Sequence, residues 1–293
     1  MNPFNHPITD VIPKRFSCRT YARKPIDDAR QESLHAYMAS LPAGPFKQPA
    51  RFILTSASAH DWSGLRGLGT YGFIHGASGY IIGAARSTGY ALENFGYLME
   101  SIVLFATDIG LGTCWLGGSF TRSSFNRKIK LAGQEEIPAV VAIGIIDDQE
   151  RARNGVIRRF VHASERRSWS RMFWDREFNK PLTEAEAASY ATPLEMVRLA
   201  PSASNRQPWQ VVKKGGCYHF FLRRTKDYQE GLLKRALRQL DLQRVDMGIA
   251  MCHFELAARE LDLRGKWMVK DPAIVKPAET ADLISYTASW SVM

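Results

Sequence analysis

A polar loop within residues 199–212 carries a dense set of side chains suited to holding an uncharged ligand by hydrogen bonds. Ser202, Ser204 and Asn205 follow Pro201, and an apolar run lies on each side of them. A proline cannot continue a helix, and small polar residues hydrogen-bond locally at turns and helix caps. The pattern predicts a polar loop between a buried helix and a buried strand, and it is also typical of an ordinary helix-to-strand connection.

A second set of residues suited to ligand binding lies near the start of the chain, where Arg15, Ser17 and Arg19 occupy every second position. The planar guanidinium group makes bidentate, charge-assisted hydrogen bonds, which suit a phosphate, although a surface arginine is the alternative. Farther along, Gly117 and Gly118 would let a ligand approach the backbone closely, unless they merely end a helix. The chain thus offers cationic, polar and backbone groups for a phosphorylated ligand.

These stretches resemble three segments of the nitroreductase family, which are FMN-dependent oxidoreductases. Residues 200–209 (APSASNRQPW) are similar to the family loop APSxxNxQPW, and residues 15–21 (RFSCRTY) to the family opening RxSxRxF. Residues 111–118 are similar to the turn that approaches the flavin ring. In the usual family chain the loop follows the opening arginines closely, whereas most of this chain separates them. That order requires an explanation.

The resemblance implies a set of FMN-binding residues and no catalytic side chain, because flavin N5 carries the chemistry. The opening segment would bind the phosphate, the ribityl chain and, through Arg19, the pyrimidine edge of the flavin. The glycine turn would present backbone N–H groups to N5. One arginine of a later pair would be a second phosphate ligand, with a solvated side chain as the alternative. The assigned residues are Arg15, Ser17, Arg19, Leu116, Gly117, Gly118, Arg166, Arg167, Pro201, Ser202, Ser204 and Asn205.

Weak internal similarity accounts for the order of the motifs. Residues 96–115 resemble residues 248–267, and residues 42–49 resemble residues 201–208. These matches occur in the same order in both halves of the chain, which predicts two copies of one structural unit.

The predicted fold class is therefore α+β and nitroreductase-like. Two related α/β half-units, residues 1–170 and 171–293, would each have an antiparallel or mixed sheet flanked by helices and would form an intramolecular pseudo-dimer. Nitroreductases are typically homodimers with FMN at the subunit interface, and this chain most resembles the members whose single chain is a pseudo-dimer. The first half would supply the RxSxR side of the FMN site and the second half the PSxxN loop.

The pseudo-symmetric twin of that site is predicted to be inactive, because the complementary residues differ. Phe46 stands in the position of Asn205. Arg171 would correspond to Arg15, but Asp175 then replaces Arg19, and a carboxylate repels a phosphate. One working flavin site per chain is expected.

Composition indicates a globular protein rather than a membrane, fibrous or disulfide-rich one. The chain has 293 residues, of which 45% are hydrophobic and 23% are charged. No apolar run approaches the roughly 18 residues of a membrane helix, and the polar start does not resemble a signal peptide. We expect no membrane partner and a cytoplasmic location. The four cysteines have neither CxxC nor metal-site spacing, so no metal site is expected.

The net charge of +10 comes largely from an arginine-rich stretch, residues 151–176. No nucleic-acid-binding motif accompanies it, and its aromatic residues do not alternate with the arginines as a base-stacking surface would. We expect no nucleic-acid partner and a solvated linker with one or two arginines that reach a phosphate. Residues 67–72 match GxGxxG, but no strand precedes them, so a dinucleotide-binding fingerprint is rejected.

Hydrophobic periodicity predicts the main elements. The expected helices span residues 28–40, 89–109, 181–197 and 241–261. The expected strands span residues 51–56, 139–146, 209–213, 218–222 and 283–292. The glycine-rich residues 61–83 are expected to form a flexible loop.

The function implied by the resemblance is hydride transfer from NADH or NADPH, through FMN, to a small electron-poor acceptor such as a nitroaromatic or a quinone. One alternative is another flavin reaction on the same scaffold, either dehydrogenation or flavin breakdown. A second alternative is a flavin-binding protein without catalytic activity. The protein would be a monomeric pseudo-dimer or a weak homodimer, and the sequence does not distinguish NADH from NADPH.

Overall fold

A computed structural model describes residues 3–58, 60–147, 165–226 and 240–293. The chain divides into two compact units, Met1–Ser164 and Glu165–Met293. Each unit has a five-stranded sheet and its own helices. The predicted α+β class with two half-units is confirmed.

The first unit is built around an antiparallel sheet with the strand order β1–β2–β5–β3, and β4 pairs with β2. Its strands are β1 (Ala50–Ser56), β2 (Gly79–Arg86), β3 (Gly112–Leu116), β4 (Glu135–Glu136) and β5 (Val140–Gly144). Its helices are α1 (Ile8–Lys14), α2 (Asp28–Ala39), α3 (Ala91–Asp108) and α4 (Arg122–Ile129). Nearly every residue of α3 is buried, as its apolar pattern predicts. The Asp27 side chain caps α2 by accepting a 3.0 Å bond from the Arg30 N–H.

The second unit has a mixed sheet with the strand order β6–β7–β8–β10–β9. Its strands are β6 (Phe173–Asp175), β7 (Trp209–Lys214), β8 (Cys217–Arg223), β9 (Gly265–Met268) and β10 (Ile284–Val292). Its helices are α5 (Glu184–Ala187), α6 (Ala191–Leu199) and α7 (Leu242–Glu260). β6 and β7 are parallel, and the other pairs are antiparallel.

Both units follow the same chain path. The order β7–β8–β10–β9 repeats β1–β2–β5–β3. Along the chain, the long helix α3 follows β2 and precedes β3, and the long helix α7 follows β8 and precedes β9. A tryptophan–glutamate hydrogen bond also recurs, at 2.7 Å from Trp115 Nε1 to Glu100 and at 2.8 Å from Trp267 Nε1 to Glu255. The shared topology supports the internal repeat that the sequence indicates.

Two predicted elements differ from the structure. The expected helix over residues 181–197 is split into α5, a 3-10 turn and α6, because Ala188 has a φ of 52° that a continuous helix does not allow. The glycine-rich loop ends at residue 78, where β2 begins. Gly83 lies within β2, and a Cβ there would lie 2.5 Å from the Phe95 ring. Its glycine serves close packing rather than flexibility.

Candidate functional site

The segment that contains Arg15, Ser17 and Arg19 runs beside strand β3. Ser17 forms a parallel bridge with Thr113, and the Cys18 N–H donates a 2.8 Å bond to the Thr113 carbonyl. A Cβ at Gly112 would lie 2.9 Å from the Ile146 side chain and 3.0 Å from the side chain of Cys18. The absence of a side chain at Gly112 therefore allows the arginine segment to approach β3 this closely.

The far end of this segment is fixed as well. The Tyr21 N–H donates to the His75 carbonyl at 3.0 Å, and the His75 N–H donates to the Arg19 carbonyl at 2.9 Å. The Tyr21 hydroxyl donates to the Ala142 carbonyl of β5 at 3.0 Å. Gly76 lies against this turn with a φ of 73°, and a Cβ there would lie 2.5 Å from the Tyr21 carbonyl oxygen. Residues 15–21 are thus anchored at both ends.

The guanidinium group of Arg15 is buried, with its side chain 4% exposed. Its Nε and Nη1 atoms have no hydrogen-bond partner among the described residues, and the same holds for Arg19 Nη1 and for the Thr113 hydroxyl. The nearest carboxylate oxygen, on Glu100, lies 4.0 Å from Arg15 Nε. A buried donor without a partner is destabilising, so these atoms mark a place that suits an anionic or carbonyl-bearing ligand.

Burial lowers the pKa of Arg15, the Glu100 carboxylate opposes that shift, and the positive charge of Arg19 adds to it. Glu100 also accepts the Trp115 indole bond, so it connects the buried guanidinium group to β3. Neither Glu100 nor Thr113 was predicted from the sequence. The available signal for Glu100 was an acidic residue inside a largely apolar helix, a signal that Glu93 of the same helix shares.

The remaining predicted residues of the first unit follow directly on the same strand. Leu116 is buried and ends β3, and Gly117 and Gly118 lie in the bend beyond it. The 3.3 Å rise per strand residue puts Leu116 about 10 Å from Thr113. Residues 111–118 were expected to form a turn, and the structure corrects this to a strand followed by a bend. The first unit thus gathers its predicted residues along one strand.

The polar loop of the second unit begins after α6 and contains a 3-10 turn, Ala203–Asn205. Ser204, Asn205 and Gln207 have φ values of 50°, 53° and 48°, in the left-handed region that residues with a Cβ rarely adopt. Such backbone strain persists only where surrounding contacts enforce it, and it clusters at functional sites. Trp209, directly after the loop, is fully buried in the core, as expected.

Side chains of the loop and its neighbours enforce this conformation. The Ser202 hydroxyl accepts from the Gln207 N–H at 2.8 Å, and the Asn205 amide donates to the Glu165 carbonyl at 3.0 Å. Asp246 of α7 accepts from the Ala203 N–H at 2.9 Å. Ser202 and Asn205 therefore hold the loop in shape, Pro201 is partly exposed, and Ser204 is exposed to solvent. Asp246 was not predicted from the sequence.

The structure separates the roles of Arg166 and Arg167. The Arg166 guanidinium donates to the Glu165 carbonyl at 2.9 Å, to the Leu199 carbonyl at 3.1 Å and to the Asn205 side chain at 3.4 Å. Arg167 uses its backbone N–H, which donates to Gln207 at 2.9 Å, while its side chain is half-buried. Arg166 thus stabilises the loop, and Arg167 is the better placed of the two to bind an anion.

The predicted arginine-rich stretch is only partly described. Arg151, Arg153, Arg158 and Arg159 lie outside the described residues.

The corresponding loop of the first unit, residues 42–49, is stabilised by different contacts from those of the polar loop in the second unit. Phe46 stacks on Tyr90 with ring centroids 4.7 Å apart, and its N–H donates to Asn94 at 3.0 Å. Asn94 also donates to the carbonyls of Ala43 and Gln48. Asn94 of α3 therefore supports the first loop as Asp246 of α7 supports the second. An aromatic stack takes the place that Asn205 has in the second unit.

The expected correspondence of Arg171 and Asp175 with Arg15 and Arg19 is not supported by strand pairing. Residues 173–175 pair with β7, the counterpart of β1, whereas Ser17 pairs with β3. Asp175 forms a 2.6 Å ion pair with Lys180. Residues 173–175 therefore lie at the edge of the second sheet beside β7. A counterpart of residues 15–21 would lie at the other edge, beside β9.

Other features of the described residues concern dinucleotide binding, metal binding and membrane insertion. The GxGxxG match, residues 67–72, lies in a loop after a 3-10 turn and not between a strand and a helix. No three histidine, cysteine or acidic side chains in the described ranges are grouped closely enough to hold a metal ion. In the same ranges no helix has the length and apolar character needed to cross a membrane.

Comparison with known families gives one match, to the family described as "Putative TM nitroreductase", over residues 7–258. A solved structure from Thermotoga maritima, described as a "putative nitroreductase", is 20% identical with a TM-score of 0.60. The alignment covers 97% of this chain and 93% of that one. At this identity the likeness shows a shared fold.

Two further structures match about half of the chain. An "FMN-dependent Nitroreductase" from Clostridium difficile R20291 is 19% identical over 49% of this chain and 90% of its own, with a TM-score of 0.41. A Bacteroides thetaiotaomicron protein described as "Putative NADH dehydrogenase/NAD(P)H nitroreductase" is 22% identical over 50% of this chain and 89% of its own, with a TM-score of 0.40. No curated protein sequence matches significantly.

Proposed function

Because this chain belongs to the family described as "Putative TM nitroreductase", we propose that it is an FMN-dependent oxidoreductase. It takes hydride from NADH or NADPH and reduces small electron-poor acceptors such as nitroaromatics or quinones. The observation that carries this proposal is the set of buried, partnerless polar atoms on Arg15, Arg19 and Thr113. These atoms favour a polar ligand; Arg15 and Arg19 lie on the segment that resembles the family's flavin-binding opening, and Thr113 lies on β3 beside it.

The residues fit the chemical groups of FMN. The buried guanidinium of Arg15 matches the phosphate, because a charge-assisted bond satisfies both its charge and its unused donors. Arg19 offers a second cation, which stabilises negative charge on a reduced flavin. Leu116, Gly117 and Gly118 offer backbone N–H groups at the end of β3. When bound, FMN supplies the redox chemistry by passing hydride from the nicotinamide to the acceptor.

Each unit retains only half of the residue set that the family resemblance implies for one flavin. The first unit has the arginine segment, but its own loop is closed by Phe46 stacked on Tyr90. The second unit has the strained loop from Pro201 to Asn205, held by Arg166, and has no segment on β9 that matches the one on β3 among the described residues. The two halves are complementary, which supports one flavin site per chain.

The proposal is tested by flavin retention in two variants, one in each unit. We expect Arg19→Ala to weaken FMN binding by about tenfold or more, as the loss of one charge-assisted bond implies. Asn205→Ala should also weaken it. Asn205→Gly removes the amide but accepts the left-handed backbone easily, so it separates the loss of the amide from the backbone strain of alanine at this position.

Matched controls are Arg127→Ala, at an exposed arginine of α4, and Phe46→Ala, at the twin position of Asn205; neither should change FMN affinity. Anaerobic addition of NADH or NADPH should bleach the flavin absorbance of the unmodified protein. Full FMN occupancy in both Arg19→Ala and Asn205→Ala would contradict the assignment of these residues to FMN binding. A yellow protein that no nicotinamide nucleotide bleaches would contradict the oxidoreductase.

A further inference from the structure

The glycine-rich loop that precedes β2 has two buried apolar residues and, between them, two exposed aromatic residues. Leu68 and Ile74 are 8% and 9% exposed, and they belong to the same apolar core as Phe120. Tyr71 and Phe73, which we call the aromatic tip, are 68% and 40% exposed. No other large hydrophobic side chain in the described part of the first unit is exposed. The ends of the loop are therefore fixed in the core, while its aromatic centre faces solvent.

The turn that carries the aromatic tip is strained at Tyr71. The Phe73 N–H donates to the Thr70 carbonyl at 2.9 Å, which closes a four-residue turn. The two central residues, Tyr71 and Gly72, have φ values of 49° and 77°. Positive φ at both central positions is typical of a type I′ turn, for which Asn-Gly is a preferred pair, and a bulky residue is rare in this conformation. The turn itself therefore does not explain the tyrosine ring, which indicates a contact outside the turn.

Hydrogen bonds connect this loop to the two segments of the first unit that are assigned to the flavin ring. At one end the Thr121 N–H donates to the Gly69 carbonyl at 2.9 Å, and Thr121 closely follows the bend at Gly117–Gly118. At the other end the His75 N–H donates to the Arg19 carbonyl at 2.9 Å. Because Arg19 is assigned to the pyrimidine edge and the bend to N5, the aromatic tip belongs to a loop that spans from one assigned segment to the other.

We propose that the aromatic tip binds the flat, conjugated ring of an incoming substrate. The proposal rests on the proposed function, which supplies the flavin site. Contacts between aromatic rings are favourable beyond the apolar area that they bury, so two exposed rings on a fixed loop suit such a partner. Two substrates carry a flat ring: an aromatic acceptor, such as a nitroaromatic or a quinone, and the dinucleotide, through its nicotinamide. The first source would make the aromatic tip a determinant of acceptor specificity.

The double variant Tyr71→Asn/Phe73→Leu tests the proposal, because it removes both aromatic rings. Calorimetric titration of the FMN-loaded protein with nitrobenzene, without a reductant, measures binding of an acceptor ring apart from turnover. If the aromatic tip binds the acceptor, this affinity falls about tenfold in the double variant. If it binds the nicotinamide, kcat/KM for NADH falls by a similar factor when ferricyanide, which has no conjugated ring, is the acceptor. Either result supports the proposal and identifies the source of the ring.

Protein stability gives a readout that a merely structural role of Tyr71 would not produce. Because asparagine suits the turn better than tyrosine, flavin-free Tyr71→Asn should melt at the same temperature as the unmodified protein or higher. Tyr71→Phe keeps the ring and should retain the nitrobenzene affinity. Lys130→Asn is the matched control, since Lys130 is also exposed and has a φ of 51° at the end of α4. It relieves similar backbone strain and should leave the nitrobenzene affinity unchanged.

The proposal is overturned if the double variant retains both the nitrobenzene affinity and kcat/KM for NADH. A fall in FMN affinity in the double variant would also overturn it, because the two rings would then contact the flavin itself. So would a lower melting temperature of Tyr71→Asn, because the ring would then stabilise its own loop. Failure of the proposed function has a different appearance. In that case the unmodified protein binds no FMN, and nitrobenzene titrations of the unmodified protein and the double variant still decide whether the aromatic tip binds a flat ring.

Discussion

The two corresponding loops, residues 42–49 and 201–208, are supported by polar side chains that make different hydrogen bonds. Asn94 and Asp246 support equivalent loops from equivalent helices, yet only Asn94 uses its whole side chain. It accepts from Phe46 and donates to Ala43 and Gln48. Asp246 accepts from Ala203 through one oxygen, and its other oxygen is buried with no partner among the described residues. A carboxylate with one buried, unpartnered oxygen thus stands at the position that an amide occupies in the first unit.

This difference predicts a pH-dependent stability. Burial raises the pKa of Asp246 well above its usual value, and the nearby Asp241 carboxylate adds to the shift. An acid with a raised folded-state pKa contributes stability that is fully present below its unfolded pKa of about 3.9 and is lost as the pH rises. We expect flavin-free Asp246→Asn to be more stable than the unmodified protein near neutral pH. The gap should shrink toward acid pH by up to about 1.4 kcal/mol per pH unit.

Urea unfolding across a pH series measures this gap. The opposite substitution in the first unit, Asn94→Asp, is the control, because it introduces a buried acid under the first loop and removes the two hydrogen bonds that the Asn94 amide donates. This variant should lose stability as the pH rises. A gap between Asp246→Asn and the unmodified protein that does not vary with pH would show that Asp246 does not titrate as expected.

Residue chemistry could be predicted from the sequence only where neighbouring residues carry the information. Arg15, Ser17 and Arg19 form a recognisable motif because one short segment contains all three. Glu100 and Asp246 could not be assigned, since each acts on a segment that is distant in sequence. Their roles arise from helix packing, and sequence periodicity reports that a helix face is buried but not which loop it meets.

At the scale of elements, long and strongly periodic segments were predicted best. The helix expected at residues 241–261 is α7, and the strand expected at residues 139–146 is β5. β2 and β3 were missed because β2 contains two glycines and β3 has glycines at its start and directly after its end, and glycine is usually a sign of a loop. In this fold the glycines of these strands accommodate neighbouring chain segments, as Gly112 does for Cys18.

That close approach predicts the effect of Gly112→Ala. The new Cβ would lie 2.9 Å from Ile146 and 3.0 Å from Cys18, so the arginine segment must move away from β3. We expect a loss of about 1–3 kcal/mol in the free energy of unfolding, as for other overpacked cores. FMN affinity should fall as well, because Arg15 and Arg19 move with the segment. Thermal unfolding and FMN titration measure the two effects.

Gly64→Ala is a suitable control in the same unit, since its Cβ would meet Ser56 only at an ordinary contact distance of 3.5 Å. It should change stability by less than about 0.5 kcal/mol and leave FMN affinity unchanged. If Gly112→Ala lowered stability without affecting FMN affinity, β3 would not position the flavin-binding arginines.

At the scale of the whole molecule, the two units share a strand order but not their local chemistry. The repeat could be predicted because matching residues recur in the same order along both halves. The proposed functional asymmetry depends on a few positions, such as Phe46 in place of Asn205. In the second unit, β9 pairs with β10 and has no counterpart of the Ser17–Thr113 bridge among the described residues. The two units therefore have similar sheets but different polar residues and segments beside them.

This asymmetry predicts one FMN per chain at saturation, whatever the oligomeric state. Flavin absorbance against chain concentration from amino-acid analysis measures the ratio, and native mass spectrometry checks it for each oligomer. Phe46→Asn, which restores the amide to the first loop, should leave the ratio at one because the described residues of the second unit include no segment that pairs with β9 as Ser17 pairs with β3. Two flavins bound per chain, in the unmodified protein or in Phe46→Asn, would show that the second set of residues is complete.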